Sequence, residues 1–451
     1  MVNVEVIATE ELGDRSYLAH DGSVAVAVDP QRDIDRVEAL LSALGLTLEL
    51  VVETHIHNDY VTGGRQLATR TGARYVVNAE DPVAFDRVPV RAGDEIAVGA
   101  MTVRVVATPG HTFTHLSYVI SDGDPAAAPA VFTGGSLLYG SVGRTDLVDP
   151  ARTDELTRAQ YHSVRHLAES LPGETAVYPT HGFGSFCSAA PTTGGPSGTI
   201  ADERARNDAV LEPDEDAFVA RLVAGLTAYP AYYAHMAPVN LRGPAPVDLS
   251  PLPVLDPAEL AARIDAGEWV VDLRDRTAYA AQHLTGSVGI GLGPQFATWL
   301  GWVIPWDTPL TLIGESAEQV ADAQRQLVRI GIDRPRGRAT GTIDALADGR
   351  PTRSYPTATF DELRTARGED PVIVDVRRDD EYAVAHIRGA LHIPLPELAD
   401  RLHELPDRRL WVHCQSAYRA SIGASLLDRA GFDVVLVADE FPHAQELGLT
   451  D

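Results

Sequence analysis

Four histidines and an aspartate stand in short loops with spacings that suit a metal ion. In "THIHNDYVT" (54–62) His55 and His57 alternate, and Asp59 follows two residues later. His111 lies in "TPGHTFTH" and His181 in "YPTHGFG". Imidazoles with a carboxylate suit Zn(II) or Fe(II), which take three or four such donors and can keep a position open for chemistry. A further ligand is expected at position 60, which holds Tyr60. The second source of chemistry is sulfur. The two cysteines, Cys187 and Cys414, lie far apart and outside any Cys-x-x-Cys. This argues against a structural disulfide and against cysteine-rich metal sites, so each is read as a separate thiol.

These residues need strands that end together. "SVAVAVDP", "LELVVETH", "MTVRVVATPGH" and "PAVFTGGS" read as buried strands running into loops. "DIDRVEALLSALG" reads as an amphipathic helix stopped by glycine. The histidines follow strand ends, where α/β folds gather their chemistry. Pro-rich stretches at 241–257 and 348–359 read as linkers. The 451 residues allow roughly three domains of ~150 residues, and the expected boundaries are 1–245, 253–350 and 356–451. The last two repeat one another. "VVDLRDRTAYAAQHLTGSVGI" (270–290) matches "IVDVRRDDEYAVAHIRGALHI" (373–393), and "LTLIGESAEQV" (310–320) matches "LWVHCQSAYRA" (410–420). A tandem duplication accounts for this. Where the second copy has Cys414 and Arg419, the first has Gly314 and Gln319.

The formal charge is −27 and lysine is absent, so all 37 basic residues are arginine. An acidic surface argues against nucleic acid or anionic membrane as partner. No apolar run approaches the ~18 residues of a membrane span. The first residues lack the pattern of a signal peptide, and the expected location is the cytoplasm.

"LWVHCQSAYRASIGASLLDRAGF" reads as strand, loop and helix, with Cys414 just past the strand and Arg419 at the helix start. Loop amides, a helix N-terminus and a cation together stabilise a thiolate, which is then a nucleophile. "DVRRDDEYAVAHIRGALHIPL" and "CQSAYR" resemble the rhodanese family over about the last hundred residues. The resemblance implies that Cys414 accepts a sulfane sulfur and becomes a persulfide. Gln415, Ser416, Ala417, Tyr418 and Arg419 would form the cradle. The Cys-x4-Arg spacing is shorter than the Cys-x5-Arg of related phosphatases and favours sulfur transfer. The middle segment then resembles a rhodanese domain without its nucleophile, a packing or docking module.

"THIHNDYVTGG", "TPGHTFTHLSY", "FTGGSLLYGSVGRTDL" and "YPTHGFG" resemble the metallo-β-lactamase superfamily, in its motif order. "GRTDL" and the fused rhodanese segments resemble its persulfide dioxygenase branch. The implied fold is α/β: an αββα metallo-β-lactamase sandwich followed by two α/β rhodanese domains. The implied metal residues are His55, His57, Asp59, His111 and His181. In the branch, iron ligands map to His55, His111 and position 135, which holds Gly135. Three outcomes are open. His55, His57 and His111 could form a three-histidine site, Asp59 or Asp146 could replace the missing carboxylate, or the site could bind no metal. His115 is expected to pack or to support a ligand. Cys187, six residues after His181, could relay sulfur between the metal pocket and Cys414, or be an inert buried thiol.

The resemblance implies oxidation of a low-molecular-weight thiol persulfide to sulfite by dioxygen at Fe(II), with Zn(II) as the alternative metal. Thiosulfate or sulfite would exchange sulfur at Cys414, and a homo-oligomer is compatible with the family. A metal-dependent thioester hydrolase, or a sulfurtransferase with a degenerate metal domain, are the alternatives.

Overall fold

The alternating small and branched side chains of the first segment become strands because both of their faces are covered. In Val24–Val28, Val26 and Val28 point into the apolar layer between two sheets, while Ala25 and Ala27 pack against helices. A period of two is what a strand buried on both faces requires. The computed structural model describes residues 2–124, 127–190, 195 and 197–451. They divide into two units, Met1–Val247 with Val328–Gly331, and Asp248–Leu327 with Ile332–Asp451.

In the first unit a six-stranded sheet runs in the order Asn3–Thr9, Asp14–His20, Val24–Val28, Thr47–Val52, Arg74–Asn78, Val88–Val90. A second runs Gly198–Thr199, Ala176–Pro179, Ala130–Gly134, Leu116–Ser121, Met101–Ala107, Glu95–Val98. Their inner faces meet in one core that includes Val26, Val52, Val103, Tyr118 and Phe132. Each fully buried valine there contributes about 1.5–3 kcal/mol. Helices Asp35–Leu44 and Gly64–Thr71 cover the outside of the first sheet, and Thr153–Ser170 covers the second. This is the expected αββα sandwich. Helix Asp35–Leu44 ends at Gly45, whose φ of 67° closes the turn as the sequence predicts. Val24–Val28 and Thr47–Val52 are parallel, as are Ala130–Gly134 and Ala176–Pro179. Asp29, just past Val24–Val28, bonds Thr54 and Thr180, which follow Thr47–Val52 and Ala176–Pro179, so the loops after these strands meet on one edge of the sandwich.

The second unit holds two parallel sheets. One has the order Val288–Gly289, Trp269–Asp272, Leu310–Gly314, Gly337–Thr340, and Val254 bridges in parallel to Arg338 beyond it. The other has the order Leu391–His392, Val372–Asp375, Leu410–His413, Val434–Val437, Thr357–Ala358. The orders coincide strand for strand, as the duplication predicts. In the second sheet the chain leaves Val372–Asp375 toward one edge and Leu410–His413 toward the other. Ligands bind outside the carboxyl ends of strands at such a reversal, and Cys414 stands there. No helix among the described residues is long and apolar enough to cross a membrane.

Candidate metal centre and thiol loop

Four imidazoles crowd together at the sandwich edge. Ring centres of His55 lie 4.1 Å from His57, 4.8 Å from His111 and 5.4 Å from His181, and His111 is 5.3 Å from His181. All four are buried. Each ring is held by one nitrogen. His55 Nδ1 donates to Thr54 Oγ1 at 2.9 Å, and that hydroxyl donates on to Asp29 at 2.7 Å. His57 Nε2 lies 3.0 Å from the Tyr60 hydroxyl and 3.3 Å from both Asp29 and Glu53. His111 Nδ1 donates to the Arg144 carbonyl at 2.7 Å. His181 Nδ1 lies 2.9 Å from Asp14 and 3.2 Å from Asp59.

Anchoring one nitrogen to an oxygen leaves the other as a lone-pair donor, the arrangement that supports metal-ligating histidines. His57 Nδ1 and His111 Nε2 are buried without a partner, and Asp59 is buried with His181 as its near neighbour. His55 Nε2 and His181 Nε2 face each other at 3.4 Å. Two nitrogens at about 2.0–2.1 Å from one tetrahedral ion would stand roughly 3.4 Å apart. The residues fit a metal. Donor atoms of His55, His57 and His181 lie within 4.8 Å of one another, as do those of His111, His181 and Cys187. His181 thus joins both His55 with His57 and His111 with Cys187. His115 uses both nitrogens, Nδ1 with Thr108 at 2.8 Å and Nε2 accepting from the Gly135 amide at 3.0 Å, so it supports the loop.

The charges favour a cation. Burial drives His55 well below its ordinary range, helped by the neighbouring imidazoles, and drives His111 down to about 3. Burial also opposes a proton on His181, but Asp59 and Asp14 outweigh it and push that ring well above its ordinary range, so positive charge is favoured there and a metal cation can take the proton's place. For His57, Asp29 and Glu53 outweigh burial and raise it to about 9. Burial, then the nearby Asp59 charge, lifts Asp14 to about 7. Cys187 is fully buried, and burial with the Asp59 charge pushes its thiol well up.

Gly135 reads differently in three dimensions. A Cβ there would lie 2.2 Å from His111 Cδ2 and 2.7 Å from its Nε2. On its other side His111 meets Gly143, where a Cβ would stand 2.9 Å from Nδ1. The imidazole occupies the room a side chain at 135 would need. Asp146 does not replace the missing carboxylate either, because Arg144 holds both of its oxygens at 2.7 Å. Tyr60 stacks on His57 with ring centres 4.2 Å apart and donates to the Asp29 carbonyl at 3.3 Å. Tyr60→Phe removes the hydroxyl's contacts with the Asp29 carbonyl and His57 Nε2; it is expected to cost about 1–3 kcal/mol of stability and to leave metal stoichiometry unchanged, because Asp29 and Glu53 still face His57. Chemical denaturation and metal analysis check this.

Asp29, Asp14 and Glu53 escaped the sequence reading. Asp29 follows a buried strand and Glu53 directly precedes the histidine motif, which are the only local signals. Asp29 accepts from the Thr54 amide, the Thr54 hydroxyl and the Thr180 hydroxyl as well as facing His57. It ties loops of both sheets together.

In the second unit, Cys414 follows strand Leu410–His413 and precedes helix Tyr418–Arg429. Ala417 has φ of 66°, a left-handed residue that turns the loop into the helix. The first amide of this turn with a protein acceptor is Ser421, bonded to the Ala417 carbonyl at 2.8 Å. Among the described residues no protein acceptor takes the N–H groups of Gln415 to Ala420. Arg419 pairs with Glu381 through both terminal guanidinium nitrogens, at 2.5 and 2.6 Å, and its charge is close enough to interact with Cys414. The loop is an anion cradle around a thiol. The matching loop in the other sheet is closed on itself. Gln319 Oε1 accepts from the Glu315 amide at 2.7 Å, and a Cβ at Gly314 would meet that oxygen at 3.0 Å.

The rhodanese-like domain family matches residues 359–441. Hydroxyacylglutathione hydrolase of Brucella ovis is 33% identical over 203 residues, 44% of this chain and 73% of that protein. A metallo-beta-lactamase from Staphylococcus aureus superposes with a TM-score of 0.67 at 26% identity, covering 75% of this chain and 99% of that one. ETHE1 from Myxococcus xanthus has a TM-score of 0.45 at 31% identity, covering 53% of this chain and 97% of that one.

Proposed function

Because the chain belongs to the hydroxyacylglutathione hydrolase family of the metallo-β-lactamase fold and carries a rhodanese-like domain, we propose that it processes sulfane sulfur. The proposed parts are a metal-dependent domain over 1–245, a rhodanese-like domain without nucleophile over 253–350, and a sulfur-transferring domain over 356–451. The observation that carries this reading is the run of amides from Gln415 to Ala420, without protein acceptors among the described residues, that follows Cys414 into its helix.

At Cys414 the thiolate attacks the outer sulfur of thiosulfate. The S–S bond breaks, sulfite leaves with the electron pair, and a Cys414 persulfide forms. An acceptor thiolate then takes the outer sulfur and releases Cys414. The amides of Gln415 to Ala420 suit the negative terminal sulfur, and the Arg419–Glu381 pair holds the cation beside it. Cys414→Ser is expected to lower thiosulfate-to-cyanide sulfur transfer at least 1,000-fold, since a hydroxyl is far less nucleophilic. Thiocyanate formation reads this, and transfer retained by the serine variant would sink the assignment.

In the first domain, a low-molecular-weight thiol persulfide, water and dioxygen would give the thiol, sulfite and two protons. Fe(II), when bound, supplies the one-electron chemistry that dioxygen needs to react with a closed-shell persulfide. His55, His57, His111, His181 and Asp59 are the residues that would hold it. Asp29, Glu53, Asp14 and the Arg144 carbonyl orient their rings. The buried surroundings keep bulk water from the reacting sulfur. Oxygen uptake by iron-loaded protein with a thiol persulfide tests this half, and no uptake would end it. The hydroxyacylglutathione hydrolase relatives lend some support to a second reading, hydrolysis; here it would be of a thioester, with Zn(II) held by the same residues. Thioester turnover without oxygen uptake would select it. The proposed setting is the cytoplasm.

A further inference from the structure

The backbone of Arg144 joins the His111 ring to the backbone of Cys187, 76 residues further along the sequence. Its carbonyl accepts from His111 Nδ1 at 2.7 Å, and its amide donates to the Cys187 carbonyl at 2.8 Å. The neighbouring residues pair as well, Gly143 with Ser188. One turn therefore positions both the His111 ring and the Cys187 loop. His111 presents a buried, unpartnered Nε2, and donor atoms of His111, His181 and Cys187 lie within 4.8 Å of one another.

We propose that Cys187 is a metal ligand, forming with His111 and His181 a two-histidine, one-thiolate site. The proposal rests on the metal-dependent reading of the first domain and names a donor that reading lacks. Three features of the chain point to it. Gly135 contributes no ligand, and the position of His111 leaves no room for one there. A bound divalent ion needs anionic charge close by, and a thiolate restores the single negative charge that a carboxylate at 135 would have carried. The set also suits its ion, because imidazole and thiolate both bind zinc and iron strongly. A cation would displace the thiol proton as it bound. Cys187 then serves by holding the metal, in place of carrying sulfur.

Only two thiols exist in the chain, so the test is clean in the full-length Cys414→Ser protein, where Cys187 is the sole sulfhydryl. The apo protein is titrated with Co(II) and followed by absorbance. The expected result is one ion bound per chain with a thiolate-to-cobalt charge-transfer band in the near ultraviolet. That band should vanish in Cys187→Ser/Cys414→Ser, with cobalt affinity lowered at least tenfold. Stoichiometric Co(II) with visible ligand-field bands but no charge-transfer band would overturn the thiolate ligand and leave the metal reading standing. No Co(II) uptake by the single-cysteine protein would overturn both. Because the band is read in protein that keeps Cys187, a misfolded double variant does not decide the outcome.

Discussion

Gly135→Asp is expected to empty the metal centre and not to restore it. The sequence invites the opposite view, since an aspartate belongs at this position in the resembling iron enzymes. Here a Cβ would stand 2.2 Å from His111 Cδ2, against a ring that is fully buried and has no free end to swing away. Overpacking of this kind costs about 1–3 kcal/mol. The ring relieves it by leaving, which breaks its bond to the Arg144 carbonyl and withdraws Nε2 from the cluster. Loss even of an outer hydrogen-bond partner lowers metal affinity roughly 10–100-fold, and loss of a ligand should exceed that. Gly135→Ala carries the same Cβ without a carboxylate and should fail in the same way. Metal stoichiometry after dialysis and the unfolding midpoint of the apo proteins read both effects. An aspartate variant that gained iron while the alanine variant lost it would show that His111 can yield its place. The present packing would then be no barrier.

The histidine spacings and the 100-residue repeat were legible because both are periodic or local. His55, His57 and Asp59 stand in five consecutive positions, and His111 and His181 each lie in the loop just past a strand. The duplicated order of parallel strands follows from two matched stretches of sequence. Asp29 and Asp14 were illegible for the opposite reason. Asp29 reaches Thr180 across 151 residues and Asp14 reaches His181 across 167, and a lone acid near a strand end or turn looks like any other. Gly135 was read as a lost ligand because sequence alone does not distinguish an absent side chain from a space another residue fills. The middle loop shows a similar limit. Gln319 in place of arginine signalled a missing cation, but only the fold shows that its amide oxygen closes the cradle.

Removing the Asp29 carboxylate should damage the metal centre more than removing any single neighbour of the histidines. Asp29→Ala leaves the Thr54 amide, the Thr54 hydroxyl and the Thr180 hydroxyl without their shared acceptor, and His57 with Glu53 as its remaining carboxylate. Breaking a buried charge pair costs about 3–5 kcal/mol. Alanine adds about 1 kcal/mol, because Asp29 sits at φ of 49°, a conformation that alanine tolerates poorly. Asp29→Asn separates these contributions. Asparagine accepts the left-handed backbone and can still receive one hydroxyl, so much of the stability should survive. It carries no charge, so it should no longer strengthen the His57 ring as a donor in the way a carboxylate on Nε2 does. Metal affinity is therefore expected to fall at least tenfold in both variants, while only alanine shows the full loss in chemical denaturation of the apo protein. Equal metal affinity in wild type and Asp29→Asn would mean that the carboxylate holds the loops together without tuning the ligands. The Thr54–His55 contact, which needs an acceptor but not a charge, would then be the link through which Asp29 acts.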